Sequence, residues 1–370
     1  MPQEEYMRKA LELAQRGMGF VSPNPMVGAV IVRDGRIIGE GWHKKYGDLH
    51  AERNAFADCE ARGEDCTGAD MYVTLEPCCH HGHQPPCTDA VIEHGIKRVF
   101  IGSSDPNPLV AGKGVKILRE HGIEVIEGVL KEECDAINEI FFHYITSTTP
   151  FVTMKYAMTM DGKIACHTGE SKWITGEDAR LNVQRDRLKY AAIMVGVGTV
   201  LADDPMLTCR LENGRDPVRV ICDSHLRIPL ESNIVKTAKD VQTIIATLEN
   251  DEEKIKPYSD CGCCVLTLGE SNSHVDLNEL MSRLYEMRID SVLLEGGGEL
   301  NWSALKAGIV NKVQTYIAPK VFGGINAKSP VGGIGADIPS DAFMLETVSV
   351  RNIGEDILIE SRVKNVHGNS

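Results

Sequence analysis

Thr74-Leu75-Glu76-Pro77-Cys78-Cys79-His80-His81-Gly82-His83-Gln84-Pro85-Pro86-Cys87 is the stretch that decides the fold, read together with His50-Ala51-Glu52 upstream. One imidazole (His50) and two thiolates (Cys78 and Cys87) can fill three corners of a zinc tetrahedron and leave the fourth for water. Glu52, two residues past the histidine, stands where a general acid/base is needed. Cys78 precedes a helix and Cys87 opens one, and helix N-termini favour the thiolate that binds metal. A His-Ala-Glu triplet alone is a chance event; its conjunction with two Pro-Cys pairs after a strand carries the reading. Cys79, His80, His81 and His83 crowd the same loop. We expect them outside the ligand set, because a fourth protein ligand would close the site.

Working outward, residues 4–17 repeat apolar side chains at Met7, Leu11 and Ala14, a helical period. Two apolar runs, 26–32 and 37–42, are joined by Arg33-Asp34-Gly35-Arg36 and predict a hairpin. His50 opens a helix through Cys59, residues 70–75 form a strand, 88–94 a helix ending at Gly95, and 98–102 a strand. The chain turns polar at Thr146-Ser147-Thr148-Thr149-Pro150, which we read as a linker between domains at 1–147 and 148–370. Strands are expected at 151–156, 192–197, 218–223, 243–247, 291–295 and 312–317. Thr175-Gly176-Glu177-Asp178 reads as a side-chain-capped start of a helix running to about Tyr190. Both halves are therefore of the α/β class.

At 370 residues the chain is long enough for two cores. A net charge of −14 makes it a poor generic ligand for phosphate backbones and favours a small substrate over nucleic acid. The acidic N-terminus has no signal-peptide pattern, and no apolar run is long enough for a membrane span. Twelve cysteines without an export signal read as reduced thiols, which points to the cytoplasm. A homo-oligomer is expected.

The His-Ala-Glu and Pro-Cys elements resemble the H-x-E…P-C-x-x-C signature of zinc nucleobase deaminases. They depart from it in one respect, since the second cysteine comes nine positions after the first rather than three. With that longer gap, the zinc loop resembles the bifunctional riboflavin-biosynthesis deaminase/reductases of bacteria. Ser22-Pro23-Asn24-Pro25-Met26-Val27-Gly28 and Asp105-Pro106-Asn107-Pro108-Leu109-Val110 are similar to the deaminase motifs of that family. Met160-Asp161-Gly162-Lys163, Ser171-Lys172-Trp173, Gly196-Val197-Gly198-Thr199 and Leu294-Glu295-Gly296-Gly297 are similar to its reductase motifs.

The resemblance implies an N-terminal cytidine-deaminase-like α/β/α domain and a C-terminal dihydrofolate-reductase-like α/β domain. It implies zinc and NADPH as cofactors. The expected reactions are deamination of a phosphoribosylated diaminopyrimidinone, then reduction of its ribosyl chain to ribityl. Family members often carry a basic residue and threonine where His83 and Gln84 stand here; a histidine is only partly charged near neutrality.

Gly196-Val197-Gly198 after an apolar strand invites a dinucleotide fingerprint, but the third glycine would fall at Leu201. Gly296-Gly297-Gly298 before a helix is the better phosphate cradle. On the resemblance, NADPH contacts map to Ala157, Trp173, Thr199, Asp203, Ser224 and the run Gly297, Gly298, Glu299, Leu300, Asn301, Trp302, Ser303. Substrate contacts map to Ser171, Arg187, Leu207, Arg210 and Glu295. Arg187 and Arg210 could fork onto the sugar phosphate, and Glu295 could bind ribose hydroxyls. Lys155 and Asp203 are candidate proton donors, and Asp161 is either a third or a turn residue. Cys261, Cys263 and Cys264 form a thiol-rich loop without metal-site spacing. Two other readings stay open: a nucleoside or tRNA deaminase with an accessory domain, and a binding protein with a closed four-ligand zinc.

Overall fold

Asp34 and Gly35 both adopt positive φ, 51° and 75°. They close the expected hairpin with the tight turn that suits strand twist. The computed structural model describes residues 2–81 and 84–364, so the His83 expectation lies outside the described residues. The chain divides into two compact units after Thr148. The first unit runs α1 (Pro2–Gln15), β1 (Gly28–Arg33), β2 (Arg36–Trp42), α2 (Ala51–Ala61), β3 (Asp70–Leu75), α3 (Cys87–Glu93) and β4 (Arg98–Ser103). It continues through α4 (Lys113–Glu120), β5 (Glu124–Glu127), α5 (Lys131–Ile137) and α6 (Glu139–Thr146).

Its sheet has the order β2-β1-β3-β4-β5. β1 is antiparallel to both β2 and β3, and β3, β4 and β5 are mutually parallel. Side chains alternate between faces, as strand geometry requires. Ala29, Ile31, Met71, Val73, Val99 and Ile101 meet Ala55, Phe56 and Val91 on one side. Val30, Val32, Tyr72 and Phe100 meet Met7, Ala10 and Leu13 of α1 on the other. Both faces are covered, so the strands read as continuous apolar runs.

Two glycines set the depth of α2. A Cβ on Gly41 would lie 2.2 Å from the Ala51 carbonyl and 2.3 Å from the Ala55 nitrogen; one on Gly39 would lie 2.5 Å from the Ala55 carbonyl. Only residues without a side chain let the helix lie this close to β2. The N-terminal end of α2 is thereby fixed against β2.

The second unit opens with β6 (Phe151–Thr159), α7 (Glu177–Lys189), β7 (Ala192–Gly196), α8 (Val197–Asp203), β8 (Val218–Cys222) and α9 (Asn233–Lys236). There follow β9 (Thr243–Thr247), α10 (Glu252–Asp260), β10 (Cys264–Thr267) and the short pair β11 (Glu270–Ser271) and β12 (His274–Val275). The unit ends with α11 (Leu277–Glu286), β13 (Ser291–Leu294), α12 (Gly298–Lys306), β14 (Lys312–Ala318), β15 (Leu345–Ile353) and β16 (Asp356–Val363). The main sheet runs β10-β9-β8-β7-β13-β6-β14-β16-β15 and is parallel except at its last two pairings. Insertion of β13 between β7 and β6 makes a topological switch, and ligands of open α/β sheets bind outside the strand C-termini at such points.

Two expectations are corrected. The helix expected from Thr175 has Gly176 as its N-cap and no side-chain cap. The Asp356 carboxylate accepts the Gly176 N–H at 2.8 Å instead, so a residue distant in sequence replaces the local box. The sequence reading also ended at β14. The β15–β16 hairpin escapes it because β15 is an edge strand with Val348 and Val350 exposed, which hides the apolar/polar alternation.

Gly41→Ala should push α2 outward and cost about 1–3 kcal/mol by overpacking. Thermal unfolding and zinc content measure it: the expected protein melts lower and holds less zinc. Unchanged melting and full zinc would show that α2 needs no such close approach.

Candidate zinc and reductase sites

His50 is the N-cap of α2, Cys87 is the first residue of α3, and Cys78 lies in the turn after β3. Two helix starts and one strand end thus converge. The His50 Nδ1 atom lies 3.5 Å from the Cys78 Sγ and 3.4 Å from the Cys87 Sγ. All three donor atoms fall within 4.8 Å of one another, and no other such group of His, Cys, Asp or Glu occurs among the described residues. The set fits zinc: one nitrogen and two sulfurs at tetrahedral-edge separations, with a fourth corner left over.

The Cys87 backbone N–H points at the Cys78 sulfur at 3.4 Å. The hydrogen bond from the Cys87 thiol, with His50 close by, pulls the Cys78 thiol down to about 4; the same bond and burial push Cys87 up. A bound dication deprotonates coordinating thiols outright. Glu52 is 3% exposed, and burial raises its carboxyl above the ordinary value. A carboxyl so placed can hold a proton that a solvated glutamate would release.

The turn that presents Cys78 is held by a residue the sequence reading left without a role. Glu76 is buried and accepts N–H bonds from Gly112 (3.0 Å), Val115 (3.2 Å) and Asp105 (3.4 Å). A Cβ on Gly114 would sit 2.2 Å from the Pro77 carbonyl, so α4 abuts the same turn. Beside the ligands is a cavity of about 270 Å³ whose walls include Asn24, His43, Asp105, Asn107, Phe141 and Tyr144. The Asn24 amide meets His43 Nε2 at 3.3 Å, and burial lowers the His43 pKa, which favours neutral imidazole. Burial lifts the Asp105 carboxyl to about 6. Asn24 and Asp105 lay inside the quoted Pro-flanked motifs, which was their one sequence signal; His43 had none.

In the second unit, the expected residues gather at the C-terminal ends of neighbouring parallel strands. Ala157 lies two residues before the end of β6, Glu295 follows β13, Thr199 follows β7 in α8, and Ser224 follows β8. Glu295 is the hub. Arg187 donates to both its oxygens at 3.0 and 3.2 Å, and Lys155 Nζ lies 3.7 Å away. Burial alone would raise this carboxyl, but Arg187 and Lys155 hold it at about 2.

The helix α12 begins at Gly298, and a Cβ on Gly297 would meet nothing nearer than Thr199 Oγ1 at 3.9 Å. Asn301 is buried with its Oδ1 unpartnered, while its amide donates to the Pro330 carbonyl at 2.8 Å. Glu299, Leu300, Trp302 and Ser303 share that helix. Trp173 is exposed with the Arg180 guanidinium 4.7 Å above its ring. Asp203 is paired at 3.9 Å with Lys172, next to Ser171.

Arg187, expected on a sugar phosphate, has its fork on Glu295 and its Nη1 on the Thr208 carbonyl at 3.0 Å. Arg210 is exposed and Leu207 buried. Asp161 lies in the turn after β6, where its carboxylate accepts from Thr159 and from the N–H groups of Phe322 and Gly323.

A model of the cytidine and deoxycytidylate deaminase zinc-binding region matches residues 1–103, and a model of the RibD C-terminal domain matches residues 150–359. The riboflavin biosynthesis protein RibD of Actinobacillus pleuropneumoniae is 58% identical across 96% of this chain and 94% of its own. That of Escherichia coli is 38% identical across 97% and 99%. Among solved structures, a diaminohydroxyphosphoribosylaminopyrimidine deaminase/5-amino-6-(5-phosphoribosylamino)uracil reductase from Thermotoga maritima matches with a TM-score of 0.88. Its identity is 42%, with 98% of this chain and 99% of that one covered. RibD from Acinetobacter baumannii matches at 0.84 and 34%, with 98% and 99% covered.

The depressed Glu295 pKa has a consequence for stability. A group whose folded pKa lies below its unfolded value of about 4.5 contributes fully above that pH and loses its contribution as pH falls toward 2. In urea unfolding, wild type should exceed Glu295→Gln in stability at pH 6. The gap should narrow by about 2 kcal/mol by pH 3, at 1.36 kcal/mol per unit. A gap independent of pH would contradict the ion triad.

Proposed function

The chain belongs to the RibD family of riboflavin-biosynthesis deaminase/reductases, and from that premise we propose the residue roles and substrates of its two reactions. It is a bifunctional enzyme, with zinc and NADPH as cofactors. We assign residues 1–147 to deamination and 148–370 to reduction. The first substrate is 2,5-diamino-6-(5-phosphoribosylamino)pyrimidin-4-one. The product of the second step is 5-amino-6-(5-phosphoribitylamino)uracil. The observation that carries this reading is the convergence of His50, Cys78 and Cys87 beside buried Glu52.

His50, Cys78 and Cys87 would hold the zinc, which would supply a water acidic enough to ionise near neutral pH. The Glu52 carboxyl takes a proton from the attacking water and delivers it to the ring nitrogen next to the amino-bearing carbon. It then takes the proton of the hydroxyl newly added to that carbon and passes it to the amino group, so that the C–N bond breaks, the carbonyl forms and ammonia leaves. Asn24, neutral His43 and Asp105 offer donors and acceptors to the pyrimidine edge. Phe141 supplies apolar wall for the ring face.

In the second site Thr199 and the α12 start at Gly297 and Gly298 would hold NADPH, which when bound would supply hydride for the former anomeric carbon of the ring-opened sugar. Lys155 supplies the accompanying proton. Its side chain is 14% exposed against Glu295, whereas Asp203 is 40% exposed and paired with Lys172. Arg187 fixes the Glu295 carboxylate so that it can accept from ribose hydroxyls. Arg210, exposed, remains for the sugar phosphate.

Among the described residues no helix is long and apolar enough to cross a membrane. A cytoplasmic location is supported by the reduced thiols the zinc set requires. Exposed Val348 and Val350 on the edge strand β15, with exposed Met344 just before it, support a homo-oligomer, which sedimentation mass would test.

Glu52→Gln should keep its zinc and lose deamination by about 10²–10⁴-fold. NADPH oxidation on pre-deaminated substrate should continue at the wild-type rate. Deamination that survives the change would remove Glu52 from the mechanism, and loss of both activities would indicate misfolding rather than lost chemistry.

A further inference from the structure

The zinc set uses two of the 12 cysteines. Elsewhere in the first unit, Cys59 and Cys66 place their Sγ atoms 2.6 Å apart. A disulfide bond is about 2.0 Å long, so roughly half an ångström separates this contact from a bond. Both side chains are buried, at 0% and 7% exposure. Packing and pairing hold them there. The Glu64 N–H bonds the Cys59 carbonyl at 3.0 Å, and the Cys59 thiol faces the Glu64 carbonyl at 3.5 Å. The segment between the two cysteines is clamped to the β1–β2 hairpin by Arg36–Glu64 at 2.7 Å and Arg33–Asp65 at 3.5 Å. Gly63 adopts φ +69°, which lets the chain reverse.

We propose that Cys59 and Cys66 are an oxidative modification site, converted by a small hydroperoxide into an intrachain disulfide. One sulfur attacks the peroxide O–O bond and becomes a sulfenic acid, releasing one water. The second sulfur displaces the sulfenic oxygen as another water. In sum, two thiols and one hydrogen peroxide give one disulfide and two waters; the sulfurs lose two electrons and the peroxide gains them. Burial pushes the Cys66 thiol up to about 12, so its thiolate is scarce and bridging is slow beside exposed thiols such as Cys264.

The position of the bridge gives it a consequence. Cys59 lies in the last turn of α2, and Cys66 lies just before β3. The opposite ends of these same elements carry His50 and Glu52 on one side and lead to Cys78 on the other. A bond at the remote ends would tie together the two elements that assemble the site, without touching a ligand. It should therefore stabilise the first unit and leave the turnover of the zinc-loaded enzyme unchanged.

The test uses the full-length zinc enzyme, treated with hydrogen peroxide, alkylated, and digested with trypsin without reduction. Peptide 54–62 should appear joined to peptide 63–97, with fragment ions placing the link at Cys66. Deamination turnover should stay within twofold, and the Tm of the first unit should rise by several degrees and fall back on dithiothreitol. Cys66→Ser should abolish both the link and the rise. Recovery of Cys59 and Cys66 alkylated or as sulfinic acids, while Cys264 is oxidised, would overturn the proposal. So would a link from Cys59 to Cys78, Cys79 or Cys87. Mapping of the wild type decides the matter even if the variant fails to fold.

Discussion

Backbone contact between α2 and β2 at Gly41 is the constraint on which the deaminase site rests. It leaves no room for a side chain, so the helix has one depth at which it can sit. That depth fixes His50 at its cap and Glu52 in its first turn. The Glu76 carboxylate, with its three backbone donors, fixes the facing turn and hence Cys78. Cys87 follows because its helix begins where the proline-rich loop returns. The metal geometry is therefore imposed by backbone packing around two buried anchors and does not depend on long flexible side chains.

The two sites treat their central carboxyl groups in opposite ways. Glu52 is desolvated, and no ion pair with it occurs among the described residues, so burial holds its proton more tightly than water would. Glu295, less buried with its side chain 13% exposed, lies between Arg187 and Lys155, so it stays ionised. These environments match the tasks. Hydrolytic deamination needs a carboxyl that accepts and returns protons near neutrality. On the role proposed for Glu295, accepting from ribose hydroxyls needs a carboxylate that stays ionised.

Much of this was legible in the sequence, for identifiable reasons. The central strands of both sheets are covered on both faces, so their apolar runs stand out, and Asp34-Gly35 announces the hairpin. His50, Glu52, Cys78 and Cys87 were legible because metal chemistry restricts residue type and spacing. Long-range partners were not. Nothing local to Gly176 indicates that Asp356 will cap its helix, and nothing near Arg187 indicates that Glu295 will take its fork. His43 was invisible because a single histidine after a tryptophan carries no pattern. The edge hairpin of β15 and β16 was missed because its exposed valines break the alternation that marks a strand.

The central claim is a zinc ion held by three protein ligands with one position open. X-ray absorption at the zinc edge of the purified enzyme measures it directly. The account predicts one zinc per chain with two sulfurs at about 2.3 Å and two nitrogen or oxygen neighbours at about 2.0–2.1 Å, one from His50 and one from water. A third sulfur, from Cys79, or a second histidine closing the shell would contradict it.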